Sequence, residues 1–285
     1  MILGIHASVR RGFAAALEEA GVLGCAAMQM LPYPRHQEPT PPQLAEFRAA
    51  RERSCIRRLL IHSRFVPSLA SSEEVRRSRS VSHLEKELRL AEGLGGEAYV
   101  LHAGAFSPES DKGEGVRLFA DSVGLAYRRS GVRIPILVEN VPGGGRRLGG
   151  SLEELAELLS GVGRWVPGAG VCLDSAHAFA AGHDIATAEG VLKFLARVNR
   201  LIGADKVRAF HLNDTRALLG THLESHEHWG RGRLGGDCLR AFLERPEYAD
   251  TPAILETPKE EGADRANLEF AKGLLEGMGR DGERR

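Results

Sequence analysis

A strict alternation of short apolar segments with helix-like segments runs through the chain and restricts its fold more than any other feature. The apolar segments predict buried strands, and the stretches after them carry apolar residues at helical spacing. The predicted strands are residues 2–8, 26–31, 59–64, 98–104, 135–141, 170–175, 207–213 and 252–257. The predicted helices lie near residues 10–22, 41–53, 72–94, 112–130, 151–162, 185–203, 234–245 and 264–278. Eight successive β-then-α units predict a parallel sheet closed into a (β/α)8 barrel, the TIM barrel.

Length and composition agree with one such barrel. The 285 residues are 42% hydrophobic and 27% charged, and no linker divides them, so we expect one domain over 1–285 with a frayed tail at 279–285. The formal net charge is zero, which argues against a nonspecific polycation. The four cysteines form no CxxC pair, which favours reduced thiols over a disulfide framework. The sequence shows no secretory signal peptide and no long apolar run, so we expect a cytoplasmic protein without membrane contact. We also expect a monomer.

Acidic residues and histidines stand at the ends of seven of the eight predicted strands. They are His6, His62, His102, Glu139, Asp174, His211 and Glu256. The carboxyl ends of barrel strands meet at the face that carries the chemistry, so these side chains converge. Carboxylates crowded there would repel one another unless a cation neutralised them, and a mixed nitrogen and oxygen donor set suits zinc or manganese. The pattern predicts a site for several metal ions.

Two further groups of possible ligands lie near this face. His177 follows Asp174 by three residues, so both can reach the same rim. His222, Glu224, His226 and His228 occupy every second position of one segment. If that segment is extended, all four point to one side. The alternative is a solvated polar loop.

The residues at these positions closely resemble the endonuclease IV family, the AP endonucleases with a trinuclear zinc centre. The resemblance is densest over 170–182, which reads GVCLDSAHAFAAG. Matches in the family order also include His62, His102 in LHAG, Glu139 in VEN, His211 in FHLND, the pair Glu224 and His226, and Glu256 in LET. The similarity covers nearly the whole chain.

The resemblance implies three divalent ions, zinc foremost, with manganese as an alternative at one site. It assigns His62, His102 and Glu139 to the first ion, and Glu139, Asp174, His211 and Glu256 to the second. It assigns His177, Glu224 and His226 to the third. The family usually has Asp where this chain has Glu224, so His222 and His228 are alternatives for the third ion.

Several divalent ions about 3.5–4 Å apart suit phosphodiester hydrolysis. The resemblance implies cleavage of double-stranded DNA on the 5′ side of an abasic nucleotide, leaving a 3′ hydroxyl and a 5′ deoxyribose phosphate, and trimming of blocked 3′ ends in base excision repair. Glu139 and Glu256 are the catalytic candidates, Glu139 as the bridging carboxylate and Glu256 as the group that orients the nucleophile.

Because the chain is neutral, its affinity for DNA must come from local charge. The candidate DNA contacts in loops after strands are Arg10, Arg35, Arg146 and Arg231. Phe65 stands where the family places an aromatic wedge, with a core phenylalanine as the alternative. Arg10 and Arg231 depart from the family pattern, which generally has a small loop and a Glu at these positions.

Two other functions stay open at this point. A metal-dependent sugar isomerase on a related barrel would also use acidic residues and histidines, but no predicted strand ends in the lysine that such enzymes typically need. A non-catalytic DNA-damage binding protein is the second, because Glu224 departs from the family pattern. The GxGxxG pattern at 230–235 follows a polar segment and not a strand, which argues against a dinucleotide site.

Overall fold

The computed structural model describes residues 1–34 and 37–276, and in it eight parallel strands close into a barrel in chain order. The strands are β1 (Ile2–His6), β2 (Ala27–Met30), β3 (Arg58–His62), β4 (Ala98–His102), β5 (Ile136–Glu139), β6 (Gly170–Asp174), β7 (Val207–His211) and β8 (Pro252–Leu255). The helices are α1 (Phe13–Val22), α2 (Pro41–Glu52), α3 (Glu74–Gly93), α4 (Lys112–Ser130), α5 (Leu152–Gly163), α6 (Ser175–Ala180), α7 (Ala188–Leu201), α8 (Gly235–Leu243) and α9 (Ala263–Glu276). The predicted (β/α)8 fold is confirmed.

The strands bury apolar side chains on both faces, as a parallel barrel requires. Outward-facing side chains pack against the helices in one large cluster. A smaller cluster fills the interior and forms the floor of the barrel mouth: Ile2, Ala27, Leu60, Ala98, Val100, Leu137, Cys172, Ala209 and Ile254. Gly4 allows β1 to approach β2, because a Cβ at this position would lie 2.0 Å from the carbonyl oxygen of Ala27.

The structure departs from the prediction at the start of α1 and at α6. The helix predicted from residue 10 begins at Phe13, because a 3-10 turn over Val9–Arg11 comes first and Gly12, at φ 93°, separates the two. The short helix α6 was not predicted. The last predicted helix is α9, and the end of that prediction and the tail at 279–285 lie outside the described residues.

No helix in the part of the chain that the structure describes combines the length and apolar character needed to span a bilayer.

Candidate metal centre

The mouth of the barrel gathers the predicted strand-end residues around one carboxylate, that of Glu139 at the end of β5. Its Oε2 lies 3.1 Å from Nε2 of His62 and 2.9 Å from Nε2 of His102. Its Oε1 lies 3.1 Å from Nδ1 of His211 and 3.3 Å from Nδ1 of His177. Glu139 is fully buried, so its charge depends entirely on these four imidazoles or on a cation that they share.

A second carboxylate, Glu256, follows β8 and faces His211 from the other side. Its Oε2 lies 3.1 Å from Nδ1 of His211, and its Oε1 lies 2.9 Å from Nδ1 of His6. The backbone N–H of Glu256 donates to Oδ1 of Asn213 at 2.7 Å, which holds the start of this loop against the end of β7.

The third part of the mouth is built from Asp174, His177 and His226. Nδ1 of His177 bonds the carbonyl of Asn140 at 2.9 Å, and Nδ1 of His226 bonds the carbonyl of Glu256 at 3.0 Å. Each bond to a carbonyl requires a proton on Nδ1, so Nε2 is the atom of each ring that can offer a lone pair to a cation. Both Nε2 atoms are buried and have no hydrogen-bond partner among the described residues.

Two buried imidazole nitrogens without a hydrogen-bond partner, next to a buried carboxylate, are the arrangement that a metal ion would satisfy. Donor atoms lie within 4.8 Å of one another inside each of three groups: His62, Glu139 and His211; Asp174, His177 and His226; and Glu139, Asp174, His211 and Glu256. The groups share members, so ions held there would be close neighbours. The donor set of imidazoles and carboxylates fits zinc.

The electrostatics of the two central carboxylates, those of Glu139 and Glu256, also favour a bound cation. Burial opposes the charge of Glu139, but the imidazoles of His102 and His211 hold the pKa of its carboxyl well below the ordinary value. Burial also opposes the charge of Glu256, and His211 again holds the pKa of that carboxyl well below its usual range. Both carboxylates are therefore anionic at neutral pH.

The imidazoles supply the balancing charge when no cation does. Burial disfavours the charged ring of His177, but the carboxylates of Asp174 and Glu139 outweigh it and raise its pKa to about 10. In the absence of a metal ion, protons on the imidazoles thus neutralise the carboxylates of the mouth. A divalent ion that binds there must displace these protons.

The segment 221–228 does not place its four polar residues on one side. His226 enters the mouth, whereas Nδ1 of His222 lies 2.7 Å from the carbonyl oxygen of Pro142. His228 is buried elsewhere, with Nδ1 3.0 Å from Nδ2 of Asn267. Glu224 is exposed and outside the three donor groups, and its assignment as a ligand stays a prediction.

Sequence reasoning missed one residue of the mouth, Gln29 on β2, the one strand without an acidic residue or histidine at its end. Gln29 is fully buried and bonds both Glu256 and His211. Glutamine is not a usual metal ligand, and only its inward position on a predicted strand could have indicated it.

The candidate DNA contacts lie on loops at the same face as the mouth. Arg10 follows β1, Arg146 follows β5 and Arg231 follows β7, and all three side chains are exposed. Arg35 lies outside the described residues. All three are therefore accessible at the surface, and Nε of Arg146 also donates to the carbonyl oxygen of Phe106 at 3.2 Å.

Phe65 is an exposed residue of the loop after β3 and not a core residue, with 58% of its surface accessible. Its ring lies parallel to that of His83 at a centroid distance of 6.1 Å. Phe65 is therefore accessible at the surface on the same side of the barrel as the mouth.

The glycine pattern at 230–235 surrounds a buried carboxylate and not a nucleotide. The backbone N–H groups of Gly230, Gly232 and Leu234 donate to Asp214 at 3.1, 3.0 and 2.9 Å. A Cβ on Gly232 would lie 2.2 Å from Oδ1 of Asp214, which explains the glycine there.

Comparison with known proteins places this chain in a defined class. Residues 15–274 match the family model described as xylose isomerase-like TIM barrel, and the chain belongs to that family. Within it, the chain belongs to the endonuclease 4 family. It is 37% identical over 284 residues to the probable endonuclease 4 of Solibacter usitatus, covering 96% of this chain and 97% of that protein.

Solved structures agree with this assignment. The crystal structure of endonuclease IV from Thermus thermophilus superposes with a TM-score of 0.83 at 35% identity, over 97% of this chain and 99% of that one. A D-tagatose 3-epimerase-like protein superposes with a TM-score of 0.73 at 20% identity, covering 99% of each chain, and this likeness shows the fold alone. The resemblance to endonuclease IV is confirmed, and the sugar isomerase is not favoured.

Proposed function

We propose that this chain is a metal-dependent AP endonuclease. It hydrolyses the phosphodiester on the 5′ side of an abasic nucleotide in double-stranded DNA, leaving a 3′ hydroxyl and a 5′ deoxyribose phosphate, and it trims blocked 3′ ends. The observation that carries the proposal is the position of Glu139 among four imidazoles, beside the orphaned Nε2 atoms of His177 and His226. Membership of the endonuclease 4 family supports it.

Seven of the proposed ligands belong to the three donor groups of the mouth: His62, Glu139, Asp174, His177, His211, His226 and Glu256. Two more complete the proposed set. His102 is added because its Nε2 lies 2.9 Å from Oε2 of Glu139, and Glu224 is added from the family resemblance. Glu139 is assigned to two ions. When bound, zinc or manganese ions supply the positive charge that stabilises a departing 3′ oxygen, and they lower the pKa of a nearby water. Glu139 would contribute a buried negative charge to the binding of two of these cations.

Glu256 is the carboxylate that we assign to the attacking water. Its side chain is 16% exposed, whereas those of Glu139 and Asp174 are completely buried. A solvent-facing carboxylate can accept a hydrogen bond from a water and orient it towards the phosphorus atom. The link to His6 keeps the Glu256 carboxylate in place while it does so.

Binding of DNA is assigned to the rim around the mouth. The exposed guanidinium groups of Arg10, Arg146 and Arg231 neutralise phosphates, and Arg35 is proposed for the same role from the sequence. Phe65 packs against the duplex where the missing base leaves a gap. Extruding an abasic nucleotide costs less than unstacking a complete one, which favours damaged DNA without base contacts. Because the proposed substrate is DNA, we propose that the enzyme acts in the cytoplasm. We also propose that it acts as a monomer.

The test is a cleavage assay on an end-labelled duplex with a single abasic site, with and without a chelator. We expect a nick on the 5′ side of the lesion whose 3′ end a polymerase can extend, and no nick after chelation. An undamaged duplex is the control.

Aldoses and ketoses incubated in parallel test the alternative function as a sugar isomerase, and isomerisation without nicking would overturn the proposal. Binding of the abasic duplex without cleavage by metal-loaded protein would favour a damage-binding protein instead.

A further inference from the structure

Gln29 is a non-ionisable side chain at the mouth that contacts two of the proposed metal ligands, Glu256 and His211. It lies on β2 between Met28 and Met30 and is fully buried. Its amide nitrogen lies 2.6 Å from Oε1 of Glu256, and its amide oxygen lies 2.9 Å from Nε2 of His211. Both ends of one amide are therefore used, each by a different candidate metal ligand.

The chemistry of these partners determines which way the amide points. An ionised carboxylate accepts hydrogen bonds and cannot donate one, so the group of Gln29 beside Glu256 must be the N–H2. The carbonyl oxygen of Gln29 then faces His211. Because that oxygen can only accept, Nε2 of His211 must carry a proton, and the lone pair available to a cation is on Nδ1.

The distances around His211 agree with this reading. Its Nδ1 lies 3.1 Å from Oε1 of Glu139 and 3.1 Å from Oε2 of Glu256, so this ring nitrogen faces the two carboxylates with which it would share a cation. On Glu256, Oε1 is occupied by Gln29 and by His6, which leaves Oε2 for a cation.

We propose that Gln29 is a positioning residue of the metal centre, which fixes His211 as an Nδ1 ligand and Glu256 as a ligand through Oε2. The inference rests on the proposed metal centre and deepens it. Histidine ligands commonly donate their second ring N–H to an oxygen that fixes the tautomer, and the amide of Gln29 does so here while it also restrains the neighbouring carboxylate.

Other side chains at position 29 could not do both. Methionine would fill the same space but leave Nε2 of His211 and Oε1 of Glu256 with one partner fewer. Glutamate could accept from His211 but would place a second carboxylate 2.6 Å from Glu256, where glutamine donates a hydrogen bond. Asparagine carries both groups on a chain one methylene shorter.

The first test is on the variant Gln29→Met, with Gln37→Met at an exposed site as the matched control. Metal affinity is measured by Co²⁺ titration against a competing chelator, and the absorption spectrum reports the ligand set. We expect about 10- to 100-fold weaker binding and an altered spectrum for Gln29→Met, and no change for the control. A lower melting temperature of the metal-free variant with unchanged Co²⁺ affinity would show a merely structural role and overturn the inference.

The second test needs no variant. Long-range ¹H–¹⁵N NMR on the zinc-loaded wild type should show the proton of His211 on Nε2, and a proton on Nδ1 would overturn the inference even if Gln29→Met does not fold. Failure of the wild type to bind metal at all would instead refute the proposed function, so the two failures are distinguishable.

Discussion

Asp174 both ends β6 and caps the helix that carries His177: its Oδ1 accepts the backbone N–H of His177 at 2.7 Å. One carboxylate therefore positions the backbone of a neighbouring candidate ligand. Its other oxygen, Oδ2, lies 3.7 Å from Nε2 of His226, in the same donor group. The capping bond brings both side chains to the same side of the mouth.

The double role of Asp174 can be separated by two substitutions. Asparagine is also a good N-cap residue, so Asp174→Asn should keep the capping bond to the backbone N–H of His177 while it abolishes binding of at least one ion. Asp174→Ala should lose the ion and also about 1 kcal/mol of unfolding free energy from the lost cap. Denaturant unfolding and metal analysis check both. Equal metal content in Asp174→Asn and wild type would contradict the ligand role.

Glu139→Gln should abolish nicking and lower the bound metal, with little effect on the fold. The substitution removes the charge shared by two ions and retains the shape of a fully buried side chain. Glu18→Gln, an exposed change on α1, is the matched control and should nick like wild type. Metal content is measured together with cleavage of the abasic duplex. Wild-type nicking by Glu139→Gln would refute the bridging assignment.

Metal binding should release protons. The pKa of His177 is about 10 in the absence of a cation, because Asp174 and Glu139 outweigh the cost of burying its charge. Below that pH the ring holds a proton that a cation must displace, so metal affinity should increase as the pH rises towards 10 and decrease on acidification. Titration of zinc into weakly buffered apoprotein with a pH indicator measures the release. Uptake of zinc without acidification near neutral pH would contradict this account.

Glu224 lies outside the donor group that contains His177 and His226, and Glu224→Gln tests its role as a ligand. Asp174, His177 and His226 supply three donors, and zinc commonly takes four. If Glu224 completes the set, the variant should bind its weakest ion at least about tenfold less tightly, in the range seen for residues that support a metal site. Competition with a graded series of chelators measures the change. Unaltered binding would show that the other three suffice.

Phe65→Leu should raise KM for abasic duplex about tenfold and leave kcat nearly unchanged, because stacking of an aromatic ring against a base contributes roughly 1–3 kcal/mol. The residue is 58% exposed, so the fold should tolerate the change. Steady-state cleavage separates the two constants. A loss of kcat at unchanged KM would place Phe65 in the chemistry and not in DNA binding.

Much of the fold and most of the mouth could be predicted, because β-strand periodicity and strand-end chemistry are local signals. Glu139 and His211 are the last residues of β5 and β7, as the apolar segments before them indicate. Once the strands close into a barrel, their ends must meet, so the convergence of the ligand types follows from topology.

What could not be predicted depends on contacts between distant segments. The helix α6 is only 6 residues long and begins with a capping bond from Asp174, so it has no apolar period to find. The segment 221–228 has the alternation of a strand but no neighbouring strand to pair with along its length among the described residues. His222 and His228 therefore turn to Pro142 and Asn267, which no pattern in the segment itself indicates. Gln29 matters through His211 and Glu256, both far away in the sequence.

The most direct measurement of the central claim is the metal content of the purified protein, determined by elemental analysis beside an abasic-site cleavage assay. The account predicts about three divalent ions per chain, mainly zinc, with cleavage that disappears as the ions are stripped and returns when zinc is restored. Protein that nicks abasic DNA at full rate with no bound metal would contradict it.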